Sequence, residues 1–227
     1  MKTPPDPASV VADGKPRFRG RLHEVAFFLA IPAGVALIAV AHSFTARMAA
    51  VVYASSLVGL YGASAAYHCR RWTPGARRRM KRLDHSMIFV LIAGTYTPLA
   101  LLVLHRPWSI VLLILVWGGA ATGIALKMVN IDGFRAISGT LYIVLGWVVV
   151  LQAPQLVHGL SNVTLPLIMI GGFLYTVGAI VLARHKPDPA PATFGYQEVW
   201  HAMVIGGSAC HYSAILLVML SLRPPIS

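Results

Sequence analysis

Seven predominantly apolar stretches run along the chain, at about 24–42, 47–68, 83–103, 108–127, 136–153, 163–183 and 199–221, with polar and charged residues gathered between them. About 20 apolar residues in a helix match the hydrocarbon thickness of a bilayer, so each stretch predicts one membrane crossing. The fold class that follows is an all-α integral membrane protein, a seven-transmembrane helix bundle with its termini on opposite sides. Residues 1–21 carry Pro4, Pro5, Pro7 and Pro16 with scattered charge and no apolar core, and are expected to form a disordered tail rather than a cleaved signal peptide. The longest connectors, Arg70 to Arg82 and Arg184 to Gln197, leave no room for a second domain, so residues 22–227 are expected to form a single membrane domain. Within the third stretch, Gly94-Thr95-Tyr96-Thr97-Pro98 predicts a helix interruption and kink. Pro98 has no N–H for the Gly94 carbonyl, and the threonine hydroxyls are expected to cap the freed groups.

Composition agrees with the pattern: 57% of the 227 residues are hydrophobic and 11% charged, against about 45–50% and about 25% in soluble domains. The net charge of +12 would suggest nucleic acid in a soluble protein, but here the basic residues lie in connectors, where membrane topology accounts for them. The tail holds five Lys and Arg, the second connector seven, and the fourth and sixth two each (Lys127, Arg135; Arg184, Lys186), while the other side holds Arg47, Arg106 and Arg223. Sixteen against three places the N-terminus in the cytoplasm and the C-terminus outside, in a multi-pass protein of the cell membrane. That orientation is the reverse of the usual seven-helix receptor. The run Arg77, Arg78, Arg79, Lys81, Arg82 reads as a topogenic loop facing anionic lipid. Cys69 and Cys210 allow one disulfide at most, and no Rossmann, P-loop or HExxH pattern supports a nucleotide or nucleic-acid partner. Gly118, Gly119, Gly171 and Gly172 permit close helix packing, within or between chains.

Ionisable groups inside a crossing are costly and therefore informative. Ser64 and His68 end the second helix, four residues apart on one face. Asp84 and His85 open the third, and Glu198 and His201 open the seventh. All three places fall at the cytoplasmic side by the charge count. Imidazole and carboxylate around a small site suit zinc with an open position for water. Interfacial side chains reaching the headgroups, or a structural His–Asp hydrogen bond between helices, fit the spacing equally. His211, about 15 Å along the helix from His201, is expected with Ser208 to make core hydrogen bonds to a neighbouring helix. His23 and Glu24 begin the first helix, where the carboxylate complements the helix dipole. His42, His105, His158 and His185 fall in connectors.

Three blocks carry a resemblance: Ser64-Ala-Ala-Tyr-His68; Leu83-Asp84-His85-Ser86-Met87-Ile88 running on to Gly94-Thr95-Tyr96-Thr97-Pro98; and Glu198-Val199-Trp200-His201 leading to Gly207-Ser208-Ala209-Cys210-His211-Tyr212. Together they resemble the hemolysin III family, the bacterial branch of the superfamily that includes the adiponectin receptors. The resemblance implies a zinc cofactor near the cytoplasmic face, held by His68, His201 and a further histidine at position 197, with Ser64 and Asp84 holding a metal-bound water. Position 197 is Gln197 here. The amide carbonyl could bind in its place, Asp84 could move onto the metal, His85 could turn inward, or the metal could be lost. Leu22-His23-Glu24-Val25 also departs from the family's opening pattern. The activity implied is a zinc-dependent intramembrane hydrolase of lipid amides, ceramidase-like, with Asp84 as general base and Ser64 steadying water or oxyanion. Its partners would be membrane lipids, one of them an acyl-lipid ligand or substrate. A non-enzymatic membrane sensor or lipid-homeostasis protein is the alternative, and pore formation a third.

Overall fold

A computed structural model of the chain describes residues 16–222. Eight α-helices follow in order: α1 (Arg21–Ala39), α2 (Phe44–Cys69), α3 (Pro74–Leu102), α4 (Trp108–Val129), α5 (Arg135–Trp147), α6 (Ala153–Gly159), α7 (Thr164–Arg184) and α8 (Tyr196–Ser221). The 3-10 segment Val148–Gln152 joins α5 to α6, so that they form one apolar span, and seven helical spans are long and apolar enough to cross a membrane. Of the tail expected over 1–21, residues 1–15 lie outside the described residues. Residues 16–20 form a turn held by backbone hydrogen bonds from Arg17 to Ala192 and from Phe18 to Thr193.

Up-and-down connectivity puts the starts of α1, α3, α5 and α8 and the ends of α2, α4 and α7 at one end of the bundle, called here the entry end. The most buried spans are α2 and α3; α1 packs along α2, α4 along α3, and α7 along α8. Phe28, Ile114 and Phe173 point outward from α1, α4 and α7, the arrangement expected where lipid rather than protein covers the apolar surface. A Cβ on Gly171 would lie 2.3 Å from the His211 ring, and one on Gly207 3.0 Å from the Gly171 carbonyl. This small-residue contact is thus between α7 and α8 of one chain. A Cβ on Gly119 would meet Leu145, whereas one on Gly118 or Gly172 would meet none of the described residues within 4 Å.

The basic run is not a loop. Thr73 caps α3, Pro74 fits its first turn, and arginine and lysine are good helix formers, so Arg77–Arg82 are helical and the connector shrinks to residues 70–73. Twenty-nine residues span about 43 Å, more than the hydrocarbon needs, so the charged turns can stand beyond it. Lys81 pairs with Asp132 at 2.6 Å.

The expected interruption at Gly94–Pro98 is also corrected. Helix α3 runs through it without a break, and Thr95 and Thr97 donate to the Leu91 and Ala93 carbonyls at 2.8 and 2.9 Å, not to the carbonyl that Pro98 leaves free. The break lies instead in the fifth span. Val148, Val149 and Val150 are β-branched, and Pro154 in the first turn of α6 supplies no N–H. The tightened segment is held by Tyr96 of α3, whose hydroxyl donates to the Gly146 carbonyl at 2.7 Å and accepts from the Val149 N–H at 3.1 Å. Tyr96→Phe removes both bonds and leaves two backbone groups unpaired in an apolar setting, so a loss of about 1 kcal/mol is expected. Thermal unfolding in detergent measures it; an unchanged midpoint would mean that the break is held by packing alone.

Candidate metal site at the entry end

Four helix ends and the turn before α1 meet at the entry end. Ser64 and His68 share one face of the last turns of α2, Gln197 and His201 one face of the first turns of α8, and Asp84 comes from α3. His68 Nε2 lies 3.8 Å from Asp84 Oδ2, and Ser64 stands beside the same carboxylate. The Gln197 amide nitrogen stands 3.1 Å from His68 Nε2, and its carbonyl accepts from Arg19 Nη1. An arginine only donates, which fixes the amide: oxygen to Arg19, NH2 to His68. His68 Nε2 must then accept, and its ring carries its proton on Nδ1. An unprotonated Nε2 has no hydrogen to offer Asp84, in keeping with a separation too long for a hydrogen bond.

Arg19 also donates from Nε to Glu198 Oε1 at 2.7 Å. Glu198 is fully buried, and its second oxygen accepts the Gly195 N–H at 2.9 Å, closing the first turn of α8. A buried carboxylate needs such a partner. Arg19 reaches it because Gly20, at φ 80°, turns the chain directly over the end of α2.

Beneath this lid lie imidazoles with little to hold them. His201 is 2% exposed and His23, from the first turn of α1, 3%. Their rings stack at 3.9 Å between centroids and 20° between planes, and His68 sits 5.2 Å from His201. Among the described residues, His201 Nδ1 and both ring nitrogens of His23 have no hydrogen-bond partner.

Residues 13–212 match the family model described as haemolysin-III related. The chain is 34% identical over 201 residues to the protein named hemolysin-3 of Bacillus cereus, covering 87% of this chain and 89% of that protein. It is 33% identical over 197 residues to the hemolysin-3 homolog of Bacillus subtilis strain 168, covering 86% and 89%. The chain belongs to the hemolysin III family.

For this hemolysin III family member, Ser64, His68, Asp84, Gln197 and His201 all come to one place. His85 contributes its backbone carbonyl to the Tyr142 hydroxyl. His211 and Ser208 make the expected core bonds: His211 Nε2 to the Ile168 carbonyl at 3.1 Å, and Ser208 with the Tyr175 hydroxyl at 2.7 Å. Reading the sequence missed His23 and Arg19. Arg19 gave no signal, being one of several basic tail residues. His23 was detectable as an imidazole at the depth of the other three, but Glu24 beside it offered a simpler explanation.

The donors suit zinc in kind: neutral imidazoles, one with an unpartnered nitrogen, beside a carboxylate with its own serine. Among the described residues, no group of three or more His, Cys, Asp or Glu is placed to hold an ion as it stands. The Gln197 amide stands on the His68 nitrogen that would bind.

Proposed function

We propose that this protein is a zinc-binding membrane protein whose entry-end site hydrolyses an amide or ester bond of an acyl lipid. The observation that carries the reading is His201: buried, next to His68, with an Nδ1 that no described residue satisfies. An unsatisfied buried polar atom costs about 1–3 kcal/mol, and a ligand that completes it removes that cost. His68 and His201 would hold the ion once the Gln197 amide leaves His68. Bound zinc would polarise a carbonyl and lower the pKa of its water toward about 7. Asp84, whose carboxylate faces His68, would accept the proton of the attacking water and pass it to the amine or alkoxide released as the acyl C–N or C–O bond breaks, with Ser64 orienting that carboxylate. Arg19 and the turn before α1 cover the imidazoles and limit water.

A lipid-responsive sensor is the second reading, favoured by the helical basic turns Arg77–Arg82, which extend α3 beyond its apolar part and offer a charged surface to headgroups or to a partner. Metal content of the detergent-purified protein, followed by release of fatty acid from labelled acyl-amide and acyl-ester lipids, tests the first reading. About one zinc per chain with chelator-sensitive release supports it; lipid retained without turnover transfers support to the sensor.

The charge distribution also predicts orientation. A phosphatase reporter that is active only outside the membrane should be silent when fused at the N-terminus and active at the C-terminus. The opposite pattern would put the histidine site on the outer face and end the proposal of a cytoplasmic site.

A further inference from the structure

We infer that His23 is the third imidazole of this metal site, taking the part that position 197 cannot play. The inference rests on the zinc reading and adds to it the residue that completes the ligand set. Gln197 is not the third donor: Arg19 takes its carbonyl, and its amide nitrogen, which must leave His68 before an ion can bind there, is no metal ligand. His23 stands on the other side of His201, with neither nitrogen hydrogen-bonded among the described residues.

Packing alone does not explain a histidine there. Its ring stacks on His201 and tilts against Tyr61 at 5.1 Å, and a phenylalanine would keep both contacts without burying two unsatisfied nitrogens. Those nitrogens carry the cost of unpaired polar groups, and an ion shared with His201 and His68 offsets it. Two imidazoles on one tetrahedral zinc, with Zn–N near 2.0–2.1 Å, hold their ring centroids about 5 Å apart. His68 and His201 already have that spacing at 5.2 Å. His23 and His201 are stacked face to face at 3.9 Å and 20°, so binding requires them to unstack, one ring turning until both nitrogens point at the ion. Three protein imidazoles with a fourth position open to water is a ligand set found in catalytic zinc sites. The turn at Gly20 places His23: without a Cβ it sits against His68 and Cys69 and brings the first turn of α1 onto the end of α2.

The test uses the full-length protein in detergent: wild type, His23→Ala, His23→Phe, and His23→Ala combined with Gln197→His. Zinc per chain is read by mass spectrometry, and the d–d absorption of the cobalt-substituted protein reports the ligand field. Wild type should hold about one zinc, and His23→Ala and His23→Phe should bind at least about 100-fold more weakly, the phenylalanine variant melting no lower than metal-free wild type. Gln197→His in the His23→Ala background should restore binding and a tetrahedral cobalt spectrum. If wild type holds zinc and both His23 variants retain it with an unchanged cobalt spectrum, His23 is not a ligand while the zinc reading stands. If wild type takes up no zinc or cobalt, the zinc reading falls and this inference with it. Failure of the double variant to regain the metal while remaining monodisperse counts against the exchange of positions 23 and 197.

Discussion

Truncating His201 to alanine is expected to empty the site and to weaken zinc binding by more than about 100-fold, beyond the usual effect of removing an outer-shell group. His201 is the central member of the row, 3.9 Å from the His23 ring and 5.2 Å from the His68 ring, so its loss separates the remaining imidazoles as well as deleting a donor. Asp84→Asn should behave differently. Its amide keeps the volume and can still pair with Ser64, so metal is expected to be retained within about 10–100-fold, while proton acceptance is lost and any acyl-lipid hydrolysis with it. The pair of variants separates holding the ion from using it. Dialysis against graded chelator followed by metal analysis gives the first quantity, and fatty-acid release the second. Zinc retention by His201→Ala would place the metal elsewhere; hydrolysis surviving in Asp84→Asn would remove the carboxylate from the base role.

Much of this was legible in the chain because a bilayer imposes one strong requirement, that about 20 apolar residues cross it as helix. Hydropathy records contact with lipid, however, and not helicity. It therefore dates the third helix from residue 83, whereas the backbone is already helical at Pro74, through charged turns that lipid does not need to cover. The misplaced interruption has a different cause. Gly94 to Pro98 contain the residues that break helices, yet α3 tolerates them; the fifth span gives way at Val148–Gln152, where a hydroxyl from another helix accepts and donates the bonds that the α-helix gives up. No local pattern encodes Tyr96 arriving from 50 residues away. For the site, His68, Asp84 and His201 were visible as ionisable groups set against apolar runs. Arg19 and His23 were masked by charged neighbours that explained them too easily. Only the fold reveals that one covers Glu198 and the other lies under His201.

Gly20→Ala is expected to be the most damaging small substitution at the entry end, for two separable reasons. At φ 80° an L-residue pays about 1–2 kcal/mol for the left-handed conformation. The added methyl would also stand 2.5 Å from His68 Cβ and 2.9 Å from Cys69 Sγ, and His68 Cβ cannot retreat without moving the α2 backbone; overpacking of this kind costs about 1–3 kcal/mol. A combined loss of about 2–4 kcal/mol should appear as a lowered melting temperature in detergent. Asparagine tolerates the left-handed region better but carries the same Cβ. If Gly20→Asn matches Gly20→Ala, the contact with His68 dominates; if it is distinctly milder, the backbone conformation does. The consequence reaches further than the turn, because displacing Gly20 withdraws Arg19 from a carboxylate with no exposure to water. Glu198→Gln removes that charge. In the Glu198→Gln background Gly20→Ala should therefore cost measurably less, a non-additivity expected only where two residues act through one contact. Additive losses would show that the turn and the buried ion pair are independent, and that Arg19 holds Glu198 without help from the glycine.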